Sequence, residues 1–331
     1  MKILVTGGTG FVGSHTVRAL LDAGHGIRLL ARNRARVNMT GVEVADGDVT
    51  DAAAVAKAVA GCDAVLHAAS VYSLQWKKHA EMRRVNVAGT RIVLEAGIAA
   101  GCNPVVHVSS SVALMGGTPR GAALSADSPL GNPMGVYAKT KRDSDAVARE
   151  LQAKGHPVVI TYPGSVWGPD DPYLGESCVL ALQMARGLVP LTTTGGFSLV
   201  DVRDVAAVHV ASMKRHDGPR RYPALGWYVR HNDLQRTVCA AAGVSRVNIA
   251  LPPPIVMMNV PFFQLLAAMG IHWANSAEGA YIVWRDNRSD NSASTRELGV
   301  SFRPLEESVR DTVAWLQAAG HLRVQASSRA G

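Results

Sequence analysis

The stretch "VTGGTGFVG", Val5 to Gly13, decides how the rest of the chain is read. The apolar run "KILVT" before it has the look of a buried strand, and a helical pattern follows from about Ser14 to Ala23. Three glycines spaced Gly7-x-x-Gly10-x-x-Gly13 between strand and helix make a tight turn. They also let the backbone approach a ligand and aim a helix N-terminus at negative charge. The related spacing G-x-G-x-x-G is the dinucleotide fingerprint, with a pyrophosphate over the helix end. A turn of structural use only is the competing reading.

The alternation continues outward from this loop. "IRLLA", "DAVLHAA", "PVVHVSS" and "HPVVITY" read as strands. "AAAVAKAVAG", "NVAGTRIVLEAGIAAG" and the segment after Val136 read as helices between them. Strands alternating with helices predict an α/β fold of Rossmann type, a doubly wound parallel sheet whose ligands bind at the carboxyl ends of the strands. After about Tyr162 the pattern loosens and prolines multiply. "ESCVLALQMARGL" and "NDLQRTVCAAAG" read as helices, the second capped by Asn232 or Asp233. "FSLVDVRDVAAVHVASM" is a strand and a helix, and "PLEESVRDTVAWLQAAG" an amphipathic helix closed by Gly320. The expected division is a dinucleotide-binding unit of residues 1–166 plus about 198–216. A smaller C-terminal α/β substrate-binding unit would take about 167–197 plus 217–322, leaving 323–331 as a disordered tail.

Composition narrows the classes. The 331 residues are 47% hydrophobic and 18% charged, as expected of a soluble globular chain with an ample core. The net charge of +8 suits an anionic cofactor as well as nucleic acid, but aromatics are only 5% and no nucleic-acid module is recognisable. Cys62, Cys102, Cys178 and Cys239 form no C-x-x-C pair, which argues against a zinc knot or a disulfide framework and suits a reducing cytoplasm. No metal site is expected. Because "MKILVTGG" already reads as strand and turn, no leader is expected before the fold. The apolar stretch Ile249 to Ile271 is interrupted by four prolines, so an integral span is disfavoured. Core, a lid over a substrate pocket, and a membrane-touching surface remain open for it.

The second predicted strand ends "LLARNRAR", with Arg32, Arg34 and Arg36 and no acid nearby. A carboxylate there would bind a ribose 2′-hydroxyl, whereas an arginine can grip a 2′-phosphate through paired hydrogen bonds. The expected cofactor is therefore NADP(H) rather than NAD(H), with Arg32 as the leading contact; solvated surface arginines are the alternative. Further on, "VYAKTK" places Tyr137 and Lys141 four residues apart, one helical turn, on one face. Lys139 falls on another face. His67 lies inside an apolar strand run and reads as core.

Together these motifs resemble, over nearly the whole chain, an extended short-chain dehydrogenase/reductase of the NAD-dependent epimerase/dehydratase superfamily. The likeness is nearest to its dihydroflavonol-reductase and 3β-hydroxysteroid-dehydrogenase-like branch. "TGGTGFVG" opens the fold; "GDVTD", "HAAS", "NVAGT", "VSSS", "YAKTK", "YPGSVWGP" and "LVDVRDVA" follow in family order. The resemblance implies catalysis by Tyr137, Lys141 and Ser111, with Ser110 as the fallback for Ser111. It implies cofactor contacts from Gly7, Thr9, Gly10, Phe11, Val12, Gly13, Asp48, Val49, Ala68, Ala69, Ser109, Pro163, Gly164 and Val166, and a structural role for Asn86 beside the active-site helix. A homodimer is a further implication. Tyr162 stands where many members carry arginine, and Val112–Ala113 stand where the sugar-nucleotide dehydratases carry an Asp-Glu pair. An apolar pocket from Tyr72, Trp76, Val112, Trp167, Tyr173 and Leu174, joined by Met257, Met258, Phe262 and Phe263, would take a hydrophobic carbonyl or alcohol. Ordinary core is the competing reading for those side chains. The functional rivals are a nucleotide-sugar epimerase and a non-catalytic NADP-binding sensor.

Overall fold

A computed structural model describes residues 1–72, 78–261 and 277–323. Seven parallel strands form the central sheet. Its first five are β1 (Lys2–Thr6), β2 (Gly26–Ala31), β3 (Val42–Asp46), β4 (Ala64–His67) and β5 (Val105–Val108). The spatial order is Arg220–Ala224, Val158–Pro163, β5, β4, β1, β2, β3. Strand order reverses between β1 and β4, and in open parallel sheets ligands bind outside the carboxyl ends of the strands at such a point. This is the Rossmann-type sheet expected from the sequence.

The continuous apolar runs are explained by burial on both faces. In β1, Leu4 packs with Val65, Val105 and Ile160 on one side. Ile3 and Val5 pack with Leu66, Val106 and Val159 on the other. Each fully buried large aliphatic side chain contributes about 1.5–3 kcal/mol. Helix α1 (Phe11–Asp22) packs on the helix Val202–Ala211. Helices Gly89–Ala99 and Val136–Ala153 pack against each other.

A third core, around Trp167, Leu199, Val229, Leu234, Val309 and Leu316, belongs to the later part of the chain. There Gly196–Asp201 pairs in parallel with Ser165–Trp167 and antiparallel with Trp227–Arg230. Two further pairs, Leu191–Thr193 with Ile249–Leu251 and Ala123–Leu124 with Arg288–Ser289, tie distant segments together. Among the described residues no helix is long and apolar enough to cross a membrane. The four cysteines are free and buried.

Three local expectations need correction. Strand β3 was not read from the sequence, because "VEVAD" is a short edge strand whose Glu43 faces solvent and pairs with Lys2 and Arg28. The helix expected to start at Asn232 or Asp233 spans His231–Ala241, with Arg230 at its N-cap and no capping side chain. The helix at "NVAGT" begins earlier, at His79, and passes through a π-turn at Arg84–Ala88 before continuing. Trp76, Phe262, Phe263 and the terminal segment 324–331 lie outside the described residues.

Candidate active site

The glycine loop crosses the ends of β1 and β4. Gly7 has φ +76°, and a Cβ there would stand 2.5 Å from the Ala69 nitrogen. A Cβ on Gly13 would lie 2.1 Å from the Gly7 carbonyl oxygen. The loop is closed by Gly10 N–H donating to Gly7 O at 3.0 Å. Gly10 is also the N-cap of α1, with neither a capping side chain nor an acid in the first turn. The bare helix end beside Thr9, Phe11 and Val12 therefore suits a pyrophosphate, and backbone without side chains leaves the room. Ala68 N–H donates to Thr6 O, placing Ala68 and Ala69 against the loop. A Cβ on Gly164 would meet the Leu225 and Ser198 carbonyl oxygens, both at 2.9 Å, so the turn after Pro163 also needs glycine. Val166 packs on the core beneath it.

The end of β2 differs from the sequence expectation in one respect. No acid is near in sequence, but the register sets Asp46 beside Ala31, and Arg34 pairs with Asp46 at 3.7 Å. The Arg32 side chain is 64% exposed and stands 4.0 Å from Asp48. Burial opposes ionisation of Asp48. Two hydrogen bonds from Thr50 and the charges of Arg32 and Arg84 outweigh it, so its pKa is lowered. Val49 is buried against Gly89 of the neighbouring helix.

The helix Val136–Ala153 carries both Tyr137 and Lys141. Lys141 is 6% exposed and its Nζ donates to Val108 O at 3.0 Å, at the carboxyl end of β5. Burial lowers its pKa to about 8 against the opposing pull of Asp145. Burial also pushes the Tyr137 phenol well up, with Glu278 adding to the shift and a hydrogen bond to Ser70 opposing it. Lys139 is exposed, and His67 is buried between Thr6 and Thr90 hydroxyls at 2.7 and 2.9 Å, a core residue as read.

Asp145, fully buried one turn beyond Lys141, holds this region together. It accepts from Ser109 Oγ at 2.5 Å and from Arg149 Nε at 2.7 Å. Arg149 also bonds the Tyr162 hydroxyl at 3.0 Å. Tyr162, the departure noted in the sequence, is thus a core phenol serving this network. The Ser109 hydroxyl is occupied by Asp145, which leaves Ser111 and Ser110 for the site. Ser111 is buried and opens the single turn Ser111–Ala113, against which the Tyr137 helix packs; Ser110 caps that turn. Asn86 bridges the Val71 backbone, at 2.7 and 2.9 Å, to Thr140 Oγ1 at 3.0 Å. It therefore fixes the segment Ser70–Tyr72 relative to the Tyr137 helix.

The side chains expected to line an apolar pocket are more mixed. The Tyr72 ring lies edge-on to Tyr137, centroids 4.7 Å apart and planes at 80°. Val112 is half-buried against the core. Trp167 is completely buried, its indole donating to Ser165, and Leu174 packs on the same cluster. Tyr173 is 60% and Met258 80% exposed, so these two line no enclosed pocket. Two acids that sequence reading missed stand here. Glu278 meets the start of the Tyr137 helix, and Glu176 accepts a hydrogen bond from Tyr72. The signal for Glu278 was its isolation, since no other acid occurs between Asp233 and Asp286. Among the described residues, no group of three His, Cys, Asp or Glu side chains could hold a metal ion.

The NAD dependent epimerase/dehydratase family matches residues 3–223. A Synechocystis sp. protein bearing the name of a dihydroflavonol 4-reductase is 28% identical, over 97% of this chain and 96% of its own. Sterol demethylase protein B of Methylococcus capsulatus is 30% identical, over 97% and 99%. The crystal structure of gox2253 superposes with a TM-score of 0.83 at 29% identity, over 97% of this chain and 99% of that one. The chain belongs to the NAD-dependent epimerase/dehydratase family, the extended short-chain dehydrogenase/reductases, and is an NAD(P)-dependent oxidoreductase.

Proposed function

We propose that the protein reduces a hydrophobic ketone, or oxidises the corresponding alcohol, with NADP(H). The observation that carries this reading is the aromatic edge of Tyr72 held against the Tyr137 ring, with the acids Glu176 and Glu278 beside them. A diphosphate would meet carboxyl groups there, whereas an apolar carbonyl compound would meet rings. The relatives named for a dihydroflavonol reductase and a sterol demethylase component support an apolar substrate.

A reduced nicotinamide, when bound, supplies the hydride that adds to the carbonyl carbon. Tyr137 gives its phenolic proton to the carbonyl oxygen as charge develops there. Ser111 donates a hydrogen bond to the same oxygen and orients it. The Lys141 ammonium favours the phenolate left behind, and its depressed pKa near 8 keeps it close to neutral-pH proton exchange. Gly7, Gly10, Gly13, Asp48, Val49, Ala68, Ala69, Pro163, Gly164 and Val166 would hold the dinucleotide. Arg32, free to turn toward a 2′-phosphate, would select NADP(H). We place the enzyme in the cytoplasm, and assign dinucleotide binding to residues 1–166 plus about 198–216 and substrate binding to most of the rest.

The epimerase reading is favoured by the family's name and fold. The discriminating experiment follows NADPH absorbance with aryl ketones, steroid ketones and sugar nucleotides. Net consumption with an apolar ketone supports the reductase. Interconversion of a sugar nucleotide without net consumption overturns it.

A further inference from the structure

The helix that carries Tyr137 has no cap of its own. Its N-cap is Gly135, at φ +95° and ψ 153°, a conformation open to glycine and one that provides no side-chain acceptor. The missing acceptor comes from more than a hundred residues away. Glu278, in the first turn of the helix Ala277–Arg285, takes a hydrogen bond from the Ala138 N–H. The fit is close: a Cβ on Gly135 would stand 2.7 Å from Glu278 Oε2. A carboxylate at this helix end is favoured by the helix dipole as well as by the bond.

The groups around Glu278 are unusual in sign. Tyr137 and Tyr72 face it from one side, and Glu176 faces it from the helix Glu176–Arg186 while bonded to Tyr72. Ser70 bonds the Tyr137 phenol. Arg285, on Glu278's own helix, is occupied by Thr118 and Asn287. Among the described residues, no lysine or arginine forms an ion pair with either carboxyl.

We propose that Glu278 is a positioning residue that caps the Tyr137 helix and, through its charge, controls how readily the Tyr137 phenol releases its proton. The proposal rests on the reading of Tyr137 as the proton donor. Burial, reinforced by Glu176 and opposed by the Ala138 hydrogen bond, raises Glu278 to about 7. Below that pH the carboxyl is neutral and does not oppose phenolate formation. Above it, the anion holds Tyr137 protonated, in the state that reduction requires.

The test needs no substrate. With isotopically labelled tyrosine, the Tyr137 ring resonance is assigned by its loss in Tyr137→Phe and followed through neutral pH. A step with a midpoint near pH 7 is expected in the wild type, reporting Glu278. Glu278→Gln keeps an acceptor for Ala138 N–H and removes the charge, so the step should vanish with the melting temperature nearly unchanged. Glu278→Ala should lose both the step and part of the thermal stability. Glu176→Gln should retain the step at lower pH. Absence of a step in the wild type, or its persistence in Glu278→Gln, overturns the proposal. In the alcohol-oxidation direction, the acid limb of the rate profile should move down by about one pH unit in Glu278→Gln. If no substrate turns over, the reductase reading fails while the resonance still decides the role of Glu278.

Discussion

The glycine-loop end and the Tyr72–Tyr137 end of the candidate site are built in different ways. The loop end is backbone: Gly7, Gly10 and Gly13 sit within seven residues, and their neighbours are the ends of adjacent parallel strands. The Tyr72–Tyr137 end is assembled from side chains far apart in the chain, with Tyr72, Tyr137, Glu176 and Glu278 brought together from four separate segments. Local sequence can encode the first arrangement directly. The second depends on how the later part of the chain folds back, so residue spacing carries little trace of it.

The sharpest way to break the backbone side is Gly13→Val. With the Gly7 carbonyl 2.1 Å from a Cβ, the loop cannot keep its shape, and NADPH affinity should fall by more than about 100-fold, or at least 2.7 kcal/mol. Fluorescence titration with NADPH measures this. Asp145→Ala acts on stability instead, since it leaves the buried ends of Arg149 and Ser109 without their acceptor. A loss of about 3–5 kcal/mol in urea unfolding is expected.

Acid should act on the central sheet and on the helix Val202–Ala211 packed against it. Burial lowers His67 and His209 to about 3 and holds His107 well below 6.5. In the unfolded chain these rings bind protons below about pH 6.5, whereas in the fold they do not, so stability is present above that pH and is lost as pH falls toward 3. His67 and His209 each contribute roughly 2 kcal/mol of destabilisation by pH 5. Thermal melts between pH 7 and 5 should show the fall, and His67→Gln should flatten it. The smallest effect belongs to Arg32→Ala, where the exposed side chain is worth about tenfold, or 1.4 kcal/mol, in NADPH affinity with little change for NADH. Equal losses for both cofactors would show that Arg32 does not read the 2′-phosphate.

Legibility in the sequence followed the same divide. The parallel sheet, the loop, the Tyr137–Lys141 pair, Asn86 and the core role of His67 could all be read, because each rests on short-range periodicity or on motif order. Strand β3 was missed because an edge strand with an exposed acid carries no apolar run. The same omission hid Asp46, which the sheet places beside Ala31. Trp167 and Met258 share an apolar character, yet one is fully buried and the other 80% exposed, and residue type alone does not separate them. Asp145 and Glu278 were missed because their partners are set by the three-dimensional fold. A lone acid in an apolar segment was the available clue.

The central claim is that Tyr137 is the proton donor in a reduction of an apolar ketone. Its direct test compares wild type with Tyr137→Phe, measuring NADPH binding by fluorescence and NADPH oxidation with an aryl or steroid ketone in the same preparations. The account predicts unchanged NADPH affinity and a rate lower by about 10²–10⁴-fold in the variant. A variant that binds NADPH and turns over the ketone at the wild-type rate would contradict it.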